Sequence, residues 1–149
     1  MKRLIRVSPV FLLAVVLTAC QDASLEKIAK GLNEAATTAG ILQTTVIDSE
    51  RIGLMTAAQA RTILEACVKV NEAGREAVAI TRRINALDPS TRTSLLAIVN
   101  PVITSVNTLV ETGTVNITNP ATKQKIQLLL LTLQTTLNAV HLAIAAGGN

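Results

Sequence analysis

Apolar residues recur along this chain at alternating intervals of three and four, and no other feature constrains the fold as tightly. Leu25, Ile28, Leu32, Ala35, Ala39, Leu42 and Val46 form the first such seam. A helix brings residues three and four apart onto one face, whereas a strand needs a period of two. Ala60, Ile63, Cys67, Val70, Gly74, Ala77, Thr81 and Ile84 form a second seam. Leu95, Val99, Val102, Val106 and Leu109 form a third, and Ile126, Leu130, Leu133, Leu137, Val140 and Ile144 a fourth. Each seam predicts a helix of roughly 24–30 residues, about 36–45 Å long.

Punctuation between the seams agrees with this. Ile52-Gly53 supplies a glycine stop after the first helix. Thr56 and Gln59 have the spacing of a capping box. Asp88-Pro89 and Asn119-Pro120 each pair an N-cap with proline at the first helical position. Gly113 and Gly147-Gly148 end the last two helices, and Arg82 and Arg83 are expected in the last turn of the second. Pro101 lies inside the third and should kink it. Gly31 and Gly40 interrupt the first at up to about 1 kcal/mol each against alanine, while permitting close helix approach. Short connections make neighbours antiparallel. The expected fold is all-α, an antiparallel four-helix up-down-up-down bundle in one domain. A repeat at an offset of 63, matching Thr45–Ser49 with Thr108–Thr112, the caps Thr56 and Asn119, and Ile63 with Ile126, points to two related helical hairpins.

A different pattern precedes the first seam. Lys2, Arg3 and Arg6 are followed by a purely apolar run over 10–17, too short to span a membrane. Then comes Leu17-Thr18-Ala19-Cys20. This resembles the lipobox of bacterial lipoprotein precursors. The resemblance implies that residues 1–19 are a cleaved signal peptide, that Cys20 carries acyl chains, and that 20–149 is the mature lipid-anchored domain. Two or more acyl chains hold a protein stably where one is marginal. Gln21, in place of an aspartate, implies the periplasmic face of the outer membrane in a Gram-negative cell. An ordinary secretory signal would need a small residue where Leu17 stands; only then would Cys20 be free to bridge Cys67.

Removal of 1–19 also removes most of the chain's formal charge of +4. The remaining 11 basic and 10 acidic side chains leave a net +1. That is no electrostatic footprint for nucleic acid. The chain has no Tyr or Trp, and its single Phe, Phe11, lies in the leader. Base stacking and aromatic cation cages are thereby excluded. One histidine and two cysteines cannot build a multi-histidine or zinc-ribbon site. The sequence contains no nucleophile elbow or phosphate loop, so no cofactor, metal or catalytic role is expected. Asn116-Ile117-Thr118 matches a glycosylation sequon by chance in a bacterial setting.

The charges are unevenly placed. Residues 21–92 carry 18 and residues 93–149 carry three, Glu111, Lys123 and Lys125. An uncharged stretch this long invites a membrane-inserted hairpin over 93–146. Against that, Gln124, Gln127, Gln134, Asn138 and His141 recur on one face, giving an amphipathic helix whose wet side is uncharged, interrupted by Leu131. Such a surface also suits an interface, since interface cores are poor in charge.

Individual residues divide similarly. Cys67 is either a small buried hydrophobe or an intermolecular disulfide partner. His141 reads as a surface histidine. Arg61, Glu65, Lys69, Glu72, Arg75 and Glu76 read as a solvated helix face. Lys27, Lys30, Arg82, Arg83 and Arg92, against Asp22, Glu26 and Asp88, gather near the anchored end and suit anionic headgroups. Ile52, Leu54, Met55, Val115 and Ile117 cluster at the opposite tip. They either plug the bundle or form an apolar contact for a partner. The leading expectation is a non-enzymatic envelope protein, anchored through Cys20, that serves as a structural or protein-interaction module. A bundle binding a lipid or apolar small molecule, and the inserted hairpin, are the alternatives.

Overall fold

The computed structural model describes residues 23–114 and 116–147. Four helices account for nearly all of them: α1 (Ala23–Arg51), α2 (Ala57–Thr81), α3 (Pro89–Thr112) and α4 (Pro120–Ala146). The expected leader, the lipobox and Cys20 lie outside the described residues, as do Asp22 and Val115.

The seams make the bundle. All seven residues of the first seam are 3% exposed or less, and the six of the fourth are 2% or less. Each helix packs on two neighbours, α1 on α2 and α4, α3 on α2 and α4, so the four close a ring. Hydrogen bonds between Gln134 and Asn107 and between His141 and Asn100 fix α3 and α4 antiparallel, since the partner number falls as the first rises. The amino end of α1 meets the carboxyl end of α4 in the same way, Gly31 beside Val140 and Ser24 beside Gly147. The bundle therefore runs up-down-up-down.

The terminal signals act as their chemistry requires. At the end of α1, Gly53 adopts φ +75°. Its N–H donates to Glu50 O, and that of Leu54 to Ser49 O, the paired bonds of a Schellman stop. Thr56 and Gln59 form the reciprocal capping box. Asp88 and Asn119 cap α3 and α4 by accepting from Thr91 N–H and Thr122 N–H. Proline follows each cap and costs nothing there, because its missing N–H would have had no helical partner.

One boundary differs from expectation. α2 stops at Thr81, so Arg82 is its C-cap, Arg83 lies beyond, and Ile84 belongs to the connection. The chain must turn there to bury Leu87 under the bundle base before Asp88-Pro89 restarts the helix. α3 runs unbroken through Pro101, which is exposed, so the carbonyl left unpaired at Ala97 is on the solvent side.

The repeat is visible in the core register. α2 and α4 begin at 57 and 120, 63 residues apart. At that spacing Cys67, Val70, Gly74 and Ala77 of α2 correspond to Leu130, Leu133, Leu137 and Val140 of α4, and all eight are buried. At matching positions α2 thus carries small side chains where α4 carries large ones, and among the described residues the core holds no aromatic ring.

Two glycines of α1 separate packing from propensity. A Cβ on Gly31 would lie 2.5 Å from Val140 Cγ2, whereas one on Gly40 meets nothing within 4 Å. Val140 is buried and β-branched, so it cannot swing aside. Gly31→Ala is expected to lower stability by about 1 kcal/mol or more through overpacking. Gly40→Ala should raise it by up to about 1 kcal/mol through helix propensity. Thermal melts of the two variants should shift in opposite directions.

Candidate functional site

The distal tip is built by the end of α1, the capping box of α2 and the start of α4. The Schellman turn sends Ile52 outward, 66% exposed, and leaves Leu54 half-buried. Met55 and Ile117 turn inward, 7% and 4% exposed, and join the distal core. Those two plug the bundle end and leave the accessible part of the partner-contact set. Ile52 and Leu54 remain accessible. They line a groove of about 600 Å³ between α1 and α4, shared with Ile41, Thr122 and Lys125. Ile41 is half-exposed at 50%. It lies off the first seam, next to Leu42, and an isolated off-seam isoleucine carries no periodic signal by which to find it.

Polar groups around this groove are engaged. Ser49 Oγ donates to Thr45 O at 2.7 Å in the buried wall. Asp48 Oδ1 accepts from Arg51 at 3.0 Å. The lining thus mixes Ile41, Ile52 and Leu54 with threonine and serine, and Asp48 and Lys125 give the rim both charges. A second groove, about 650 Å³, runs along the outer side of α2 over Leu64 and Val68, edged by Glu50, Arg61 and Glu72. Arg61 and Glu65 pair across one turn at 2.9 Å with both side chains mostly in water, a geometry that adds little stability.

The uncharged half divides in a way the sequence did not separate. Gln134 Nε2 donates to Asn107 Oδ1 at 2.9 Å, and His141 Nδ1 meets Asn100 Oδ1 at 3.0 Å. These two members of the polar stripe are half-buried rungs between α3 and α4, while Gln124, Gln127 and Asn138 are exposed. Outside the rungs, Leu128, Leu131 and Leu142 stand in solvent at 64%, 40% and 65%. α3 and α4 are both long and apolar enough to cross a membrane, with mean hydropathy of 1.5 and 1.6 in their most apolar windows.

Cys67 lies at 1% exposure in the distal core. Loss of water around the thiolate pushes its pKa up to about 11. At the base, Lys27, Lys30, Arg82 and Arg83 are exposed and Arg92 is half-buried. The Thr91 amide holds the Asp88 carboxyl below its ordinary range, so the cap stays ionised. Among the described residues no three His, Cys, Asp or Glu side chains gather as a metal set.

Comparison of the chain with protein-family models, with curated proteins and with solved structures finds no match in any of the three.

Two outcomes follow from the burial pattern. At pH 8 the native Cys67 thiol should resist Ellman's reagent and become fully reactive only in denaturant. At the tip, Met55→Ala should cost about 2–5 kcal/mol, as for other buried methionines. Ile52→Ala should stay within about 0.5 kcal/mol, since it empties no cavity. Urea titration of both variants measures the contrast.

Proposed function

We propose that this chain is a lipid-anchored, non-enzymatic protein of the cell envelope that engages a partner protein through the distal groove at Ile52 and Leu54. The observation that carries the reading is the polarity of the bundle. The start of α1, the turn carrying Leu87 and the end of α4 meet at one end, and the groove lies at the other. Ala23 opens α1 only three positions after Cys20, a span of at most about 11 Å of chain. Acyl chains on Cys20 would hold the basal end against the bilayer, where Lys27, Lys30, Arg82 and Arg83 suit anionic headgroups. The groove would then stand about 40 Å away, one α1 length of 29 residues. A structural or bridging role follows from that separation of anchor and contact.

A second reading, insertion of the α3–α4 hairpin, is favoured by the hydropathy of those two helices. The bundle reading is preferred because the inward seams of α3 and α4 are used up in the core with α1 and α2.

Three expressed forms of the chain test both. The full precursor should incorporate an alkyne-bearing palmitate analogue, and Cys20→Ala should abolish incorporation. Residues 21–149 exported behind an ordinary secretory leader should appear in the soluble periplasmic fraction. Absence of label from the unaltered precursor would remove the anchor. Membrane retention of the unlipidated form would favour the inserted hairpin.

A further inference from the structure

α4 carries a second seam, on the side opposite its core seam. Leu128, Leu131, Thr135, Asn138, Leu142 and Ala145 follow one another at intervals of three and four, and all six are exposed. None is charged, and no Asp, Glu, Lys or Arg follows Lys125 in the chain. We propose that this outer seam is a helix-pairing surface whose occupant is the same seam of a second copy of this chain, the two α4 helices lying parallel and in register.

Five observations select that occupant. The three-four spacing is the one at which a helix receives another helix, knob into hole. A contact related by a two-fold axis along α4 sets each residue against itself, so only an uncharged seam pairs without repulsion. The outer faces of α1 and α2 fail that condition, with Glu26, Lys30, Glu34, Arg61, Glu65 and Glu72 exposed. The hydroxyl of Thr135 donates to Leu131 O at 2.9 Å, so the seam can be dried without stranding it. Asn138 tells a helix from a bilayer: on the seam its exposed amide lies between Thr135 and Leu142, where acyl chains offer no partner, whereas the facing Asn138 of a second copy offers both a donor and an acceptor. The seam also lacks the aromatic and basic residues with which a helix settles into a membrane interface.

The size of the contact fits tethered copies. From Leu128 to Ala145 the seam runs about 25 Å. One helix pair of that length buries less than the roughly 1,200 Å² of a standard stable complex. Two chains held in one leaflet by Cys20 supply the high effective concentration such a contact needs. The same tether makes the helices parallel, and in this respect the inference rests on the anchor proposed above.

The test uses full-length chain in the membranes of cells that express it, with single substitutions on exposed positions. Leu128→Cys and Asn138→Cys should each give a crosslinked species of twice the chain mass on mild oxidation. Glu34→Cys, on the charged side, should give none, and Cys67 is too buried to contribute. Adding Leu142→Glu, an exposed change that spares the core, should abolish the crosslink while leaving helicity intact. Absence of crosslinking at both seam positions overturns the proposal. So does crosslinking to a protein of another mass, or labelling of the seam by a bilayer-phase photoreagent in place of a water-soluble maleimide. Crosslinks confined to Thr135→Cys, at the seam's midpoint, would mean antiparallel copies. That overturns the parallel pairing and traces the fault to the common tether, which the palmitate label examines independently.

Discussion

The return of α4 along α1 is the contact on which the rest of the structure depends. Two helical hairpins, each joined by a short loop, would leave one side of every seam in water. Only when α4 packs back on α1 do the four seams enclose a core. The fit is close where Val140 enters the notch left by Gly31, with no room for a methyl group on that residue. It closes the ring at both ends of the core, since Val140 and Ile144 lie in the basal cluster while Ile126 and Leu130 lie in the distal one. Burial of each such side chain contributes roughly 1.5–3 kcal/mol.

A division of labour makes the surface informative. α1 and α2 meet water with charges, whereas α3 and α4 meet it with threonine, asparagine, glutamine and leucine. Hydroxyls on α3 and α4 close onto their own helix, as Thr104 does on Asn100 O and Thr132 on Leu128 O. A face built this way does not demand water, so it suits contact with another surface. The distal groove is of a different kind, a local hollow formed where α1 ends and α4 begins.

Much of the fold was legible in the sequence because it rests on local and periodic signals. The seams predicted 25 of the described core positions' helical register directly through residues such as Leu42, Ile63, Val99 and Leu133, and the caps at Thr56, Asp88 and Asn119 set the helix starts. The misplacements lie where tertiary packing overrides local rules. Ile84 fits the period of α2, yet burial of Leu87 ends that helix earlier. Met55 and Ile117 look like tip residues in a linear reading, and only the closed bundle turns them inward. Gln134 and His141 share a stripe with Asn138 in sequence, but proximity to α3 makes them rungs and leaves Asn138 outside. The groove was only half legible, since Ile41 joins Ile52 across about three turns of helix without any pattern to announce it.

α3 and α4 share one core with α1 and α2, so the four helices should unfold as a single cooperative bundle. Native-state hydrogen exchange on residues 21–149 in detergent-free buffer tests it most directly. The account predicts that amides along the inner seams of all four helices exchange together, through global unfolding alone. Protection confined to α1 and α2, with α3 and α4 exchanging freely or holding together only in detergent, would contradict it.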